Sequence, residues 1–181
     1  MCTVVRDSRP ALSKESTTLK KFLKNYKGLS TLTLESNPMK VSFLKKGLKL
    51  PNTFFSASDI NRYFFYYSVK NAGTLPHYHK DAFNVLRAGK KRWIMYDANK
   101  EITPKGYRQL SEGYKRYPKG THAKDWFEKD LPRISRKLPV YECQQEGSDI
   151  VYVPWLYAHA VINLSDEVLG LVVETQRKNI I

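Results

Sequence analysis

GTLPHYHKDAFNVLRAGKKRW, residues Gly73 to Trp93, carries two of the four histidines in the chain, His77 and His79, with one residue between them. If Thr74 to Lys80 is an extended strand, positions i and i+2 project from one face, and both imidazoles can meet a single metal ion. The run Phe83 to Ala88, the pair Gly89-Lys90 and the run Lys91 to Tyr96 then read as two strands joined by a hairpin. Two histidines do not complete a site. His159 offers a third ligand far downstream, closing Pro154-Trp155-Leu156-Tyr157-Ala158-His159 at the end of another apolar, β-branched run. The expectation is a mainly β protein with a few helices, folded as a small barrel around a metal site.

Outward from this stretch the pattern stays β. Arg62 to Val69 gathers Tyr63, Phe64, Phe65, Tyr66 and Tyr67 into one run, whose aromatic content suits a buried strand, and Asn71-Ala72-Gly73 turns the chain. Downstream, strands are expected at Val140 to Gln144, Asp149 to Val153, His159 to Leu164 and Val168 to Thr175, punctuated by Gly147, Pro154 and Ser165-Asp166. The barrel core thus spans residues 62–175. Residues 98–138 are charged and glycine-bearing, with a helix expected from Thr121 through Phe127, and read as an insertion over the barrel. Within residues 1–50 a helix is expected from Ser16 to Gly28, because Leu19, Phe22, Leu23 and Tyr26 recur at helical spacing behind Ser16 or Thr17 as N-cap. Short strands at Thr31 to Leu34 and Lys40 to Leu44 complete that part, and a short turn or helix is expected near Ser58.

A chain of 181 residues suits one domain with a core of its own. No apolar run approaches the roughly 20 residues that span a bilayer, and the first residues lack the apolar region of a secretory signal. A soluble, intracellular protein, cytoplasmic or nuclear, is the expectation. Two cysteines, Cys2 and Cys143, argue against a disulfide framework. The formal net charge of +14 attracts polyanions, RNA among them, without choosing one.

The two halves together resemble the paired motifs of the cupin fold, a double-stranded β-helix or jelly-roll barrel: Gly73, His77-x-His79, Asn84 and Gly89, then Gly147, Pro154, His159 and Asn163. At a finer level Thr74-Leu75-Pro76-His77, Ala82 to Leu86, Gly89-Lys90-Lys91-Arg92-Trp93 and Gly147 to Val153, running into Pro154, His159 and Asn163-Leu164, resemble the JmjC branch of that fold. These are oxygenases dependent on Fe(II) and 2-oxoglutarate. The resemblance implies that His77 and His159 are the first and last iron ligands, that Thr74 and Lys91 hold the far carboxylate of 2-oxoglutarate, and that Asn84 contacts the co-substrate. It implies hydroxylation, with a protein side chain as target. A dicarboxylate entering a barrel needs a cation and hydroxyl donors at one end and open metal positions at the other, and Lys91 supplies the cation.

The chain departs from the common family pattern at the second ligand, where His79 stands in place of an aspartate or glutamate, as in an H-x-H subgroup. A neutral imidazole there leaves the metal centre one charge more positive. A second register stays open: His79-x-Asp81 is itself an H-x-D, and would give His79, Asp81 and His159 as the ligands, or make Asp81 a partner of a ligand. Beside the oxygenase stand two further functions, a cupin-fold binding module that keeps the metal without turnover and a basic RNA-associated protein. Tyr63, Tyr66 and Trp93 are expected in the core ahead of co-substrate contacts, Trp155 and Tyr157 in rim packing, and His122 on the surface.

Overall fold

The computed structural model describes residues 2–6, 14–17, 30–36, 59–97, 102–103, 106–107, 117, 120–155 and 157–175. Its strands in chain order are β1 (Cys2–Arg6), β2 (Lys14–Thr17), β3 (Ser30–Ser36), β4 (Ile60–Val69), β5 (Gly73–His77), β6 (Ala82–Ala88), β7 (Lys90–Asp97), β8 (Ile102–Thr103), β9 (Gly106–Tyr107), β10 (Tyr141–Glu146), β11 (Ile150–Val153), β12 (Tyr157–Asn163) and β13 (Glu167–Thr175). One antiparallel sheet runs β11-β6-β13-β4 and continues through β3-β1-β2, and the other runs β10-β7-β12-β5.

The two four-strand orders mirror each other, since β11, β6, β13 and β4 are joined in sequence to β10, β7, β12 and β5. The short turns after β4, β6, β10 and β12 therefore pass the chain from one sheet to the other, all at one end of the molecule. Gly89 makes one of them with φ of +92°, a conformation that only glycine adopts freely. β6 and β7 are consequently not the hairpin that their sequence suggests. They lie in different sheets, because the alternating pattern fixes which residues face inward but not which strand is the neighbour.

Apolar side chains sort by face. Trp93, Val153 and Val161, with Met95 and Val151, fill the space between the sheets, as do Tyr66, Leu86 and Val168. On the outside of the four-stranded sheet, Leu75, Ile94, Tyr96, Ala160 and Ile162 are covered by Trp126, Phe127 and Leu131. Those three sit on a helical stretch made of α1 (Ala123–Asp125), a π-helical turn (Trp126–Asp130) and α2 (Leu131–Ile134), so the inserted helix does lie against the barrel. On the other sheet Tyr63 packs outward with Phe83, Leu171 and Val173.

Several local expectations change. Ser16 and Thr17 belong to strand β2 instead of capping a helix, and the rest of that helix, the strand at 40–44 and the turn or helix near Ser58 lie outside the described residues. His122 is half-buried, with a buried Nδ1, where the sequence suggested a surface position. Cys143 is a free, exposed thiol. Among the described residues no helix is long and apolar enough to cross a membrane.

Candidate metal centre

The end of the barrel opposite the crossing turns brings His77, His79 and His159 together, with one nitrogen of each within 4.8 Å of the others. His77 ends β5, and His159 is paired with it across the β5–β12 ladder. Their ring centroids are 4.1 Å apart. His79 arrives differently from the strand geometry its spacing implies: β5 stops at His77, and His79 stands in the loop before β6. The ring still lies 5.5 Å from that of His77 and 4.7 Å from that of His159. The β5–β12 pairing ends at the His77–His159 pair, so the chain beyond His77 is free of the ladder and bends there.

Each ring is oriented through Nδ1. His77 Nδ1 lies 2.8 Å from the Leu75 carbonyl, His79 Nδ1 2.6 Å from that of Lys80, and His159 Nδ1 3.2 Å from that of Tyr157. A carbonyl oxygen only accepts, so Nδ1–H donates in each ring and Nε2 is the nitrogen left to face a metal. Burial holds His159 well below the ordinary histidine range, and the neighbouring His77 and His79 push it the same way. Three imidazoles with fixed rings are a donor set for iron, zinc, copper or nickel, and the residues fit an Fe(II) site.

Asp81 is not in this cluster. Its carboxylate is fully buried and accepts the Trp155 backbone N–H at 2.6 Å and the Tyr152 hydroxyl at 3.1 Å.

The co-substrate candidates lie further along the inner face. Lys91 is opposite Asn163, and Trp93 is opposite Val161, which is in turn opposite Thr74. Thr74 is three residues from His77, an odd interval that would turn it outward on a regular strand. A register shift between His159 and Val161 in the β5–β12 ladder restores it to the face of the histidines. Its hydroxyl is buried with no hydrogen-bond partner among the described residues. Lys91 is 7% exposed and has no ion pair or hydrogen bond among the described residues. Its Nζ instead stands 3.8 Å from the centre of the Tyr66 ring and 5.7 Å from that of Trp93. Burial pushes this ammonium down to about 7. Asn84 is buried, and its Oδ1 accepts the Tyr66 hydroxyl at 2.9 Å.

Three further residues shape this region. Tyr66, expected in the core ahead of a co-substrate contact, spans the gap between Lys91 and Asn84; burial raises its phenol well above the ordinary range. Gly170 makes room for it, since a Cβ there would lie 2.2 Å from the Tyr66 hydroxyl. Gln145, fully buried, accepts the Trp93 indole N–H at 2.9 Å and donates to the Asn84 carbonyl at 2.8 Å, which fixes the indole that stacks on His159 at 5.9 Å. A glutamine amid charged neighbours on an edge strand gives no sequence signal for this.

No family model and no curated protein matches the chain. Solved structures do. Escherichia coli YcfD matches over 98% of this chain with a TM-score of 0.55 at 15% identity. A YcfD structure described as a ribosomal oxygenase in complex with cobalt and 2-oxoglutarate matches with a TM-score of 0.52, again at 15% identity. The chain spans about two fifths of the length of these structures, 41% and 40%. With the mirrored strand orders, the likeness shows the fold to be a double-stranded β-helix of the cupin or jelly-roll kind.

Proposed function

We propose that the chain is a JmjC-like oxygenase of the H-x-H kind, dependent on Fe(II) and 2-oxoglutarate, that hydroxylates a protein side chain. The observation that carries this is Lys91: a buried cation, unpaired among the described residues, on the inner barrel face that also bears His159, beside which His77 and His79 gather. An uncompensated buried charge is costly and persists where an anion is to be bound. His77, His79 and His159 would hold the metal. Lys91 would pair with the far carboxylate of the co-substrate, the orphan Thr74 hydroxyl would donate to it, and Asn84, its oxygen already engaged by Tyr66, would offer its amide N–H. Lys91 starts four residues along the sheet from the row of His159, about 13 Å, a span that its own stem and a five-carbon diacid fill between them.

Between these ends Trp93, Val161 and Val153 exclude water, which strengthens the pairing and protects the reacting centre. Iron held by His77, His79 and His159 would supply oxygen activation, the keto acid losing CO2 as one atom of O2 enters succinate and the other the target C–H bond. YcfD, described with cobalt and 2-oxoglutarate, supports the co-substrate class, and its description as a ribosomal oxygenase favours a protein target held near RNA, in keeping with the charge of +14.

A specific observation favours a second function, a binding module without turnover: His79 stands where a carboxylate is usual. One experiment separates the two. Purified protein is loaded anaerobically with Fe(II), 2-oxoglutarate is added, and the visible metal-to-ligand charge-transfer band is recorded before admitting oxygen. An oxygenase gives the band and then oxygen-dependent succinate. The band without succinate identifies the binding module, and absence of both overturns the site itself.

A further inference from the structure

His79 is the one cluster histidine outside any strand, so something other than a β-ladder must hold it. Two residues further on, Asp81 is 0% exposed, deep in a loop that would ordinarily be surface. Its carboxylate oxygen accepts the Trp155 N–H at 2.6 Å and the Tyr152 hydroxyl at 3.1 Å. Its carbonyl accepts both the Thr175 backbone N–H and the Thr175 hydroxyl, each at 2.9 Å. Lys80, the residue between, has its carbonyl 2.6 Å from His79 Nδ1. Trp155 lies four residues before His159 in sequence, in the turn that leads into β12. One buried side chain therefore ties the loop delivering His79 to the turn delivering His159.

We infer that Asp81 is a positioning residue of the metal centre: it is not a ligand but fixes the backbone that aims the His79 ring at the other two imidazoles. This rests on the metal site proposed above. A carboxylate taken wholly out of water persists only where donors replace the lost hydration, and here those donors come from the β11–β12 segment. Without them the three-residue span 79–81 keeps its Thr175 anchor but loses its hold on the strand bearing His159.

The test uses Co(II) alone as probe, titrated into the full chain while its visible ligand-field absorption is recorded, with thermal unfolding of the metal-free protein followed in parallel. In Asp81→Asn the amide oxygen, standing where Oδ1 stands, still accepts from both the Trp155 N–H and the Tyr152 hydroxyl. That variant should bind Co(II) within about threefold of wild type with the same spectrum. Asp81→Ala should lose roughly 10- to 100-fold in Co(II) affinity, the usual effect of removing a partner that orients a ligand, and should show an altered spectrum as His79 drifts. Tyr152→Phe, which removes a single donor and serves equally if Asp81→Ala does not fold, should lose a few-fold. If the variants that fold bind with wild-type affinity and spectrum and only their melting temperature falls, Asp81 is merely structural and the inference is overturned while the metal site stands. If the wild-type chain itself binds no Co(II), the metal site fails, and the inference with it.

Discussion

Lys91 sets the electrostatics of the barrel at the scale of one residue. Its ammonium is buried against the Tyr66 ring and pushed down to about 7 from an ordinary 10.5. A lysine depressed in the folded state binds fewer protons than it does unfolded, so between about pH 7 and 10.5 the stability of the metal-free, ligand-free protein rises with pH. The slope contributed is at most about 1.4 kcal/mol per pH unit, and below pH 7 the full cost of the buried charge is present. Lys91→Met should remove that slope, raise stability near pH 7 and abolish 2-oxoglutarate binding. Urea midpoints of the two proteins at pH 7, 8 and 9 measure the difference, and parallel curves would rule out an uncompensated buried charge. Calorimetry in buffers of unlike ionisation heat should also show proton uptake when 2-oxoglutarate binds at pH 8, since a bound carboxylate restores the ammonium.

At the scale of elements, the site depends on how closely β5 and β12 approach. A Cβ at Gly73 would fall 1.9 Å from the Val161 carbonyl oxygen, a backbone atom that cannot swing aside. Gly73→Ala must therefore push the strands apart next to the register shift that turns Thr74 inward. The expected outcome is a loss of roughly 1–3 kcal/mol in unfolding free energy, the scale of overpacking, together with weakened metal binding. An unchanged melting temperature and unchanged Co(II) affinity would show that the β5–β12 ladder yields without cost. This dependence was only partly legible. The sequence marks Gly73 as a turn glycine, but the carbonyl it faces belongs to a strand 88 residues away in numbering.

Across the whole molecule the charge is segregated. Residues 59–97 and 120–175 hold twelve Lys or Arg against twelve Asp or Glu, so the entire formal +14 lies in residues 1–58, 98–119 and 176–181. The described barrel surface matches this balance with cross-strand pairs such as Arg92–Glu142, Lys90–Glu146 and Arg62–Glu174. Any RNA affinity should therefore be independent of the metal centre. Binding of a generic single-stranded RNA, followed by fluorescence anisotropy, should fall steeply with salt and survive His77→Ala and His159→Ala unchanged. Loss of binding in a folded histidine variant would tie the polyanion to the barrel mouth instead.

The sequence by itself determined the β character of the chain, most strand positions, and the candidates His77, His79, His159, Thr74, Asn84 and Lys91, because spacing along one strand and the chemistry of side chains are local properties. It left the partnership of Asp81 open between ligand and support. Only the tertiary structure decided that β6 and β7 part company into two sheets, that His79 reaches the cluster from a loop, and that Asp81 turns to Trp155 and Tyr152. Which strand becomes whose neighbour, and which donor meets a buried carboxylate, are settled by long-range packing between segments that share no local pattern.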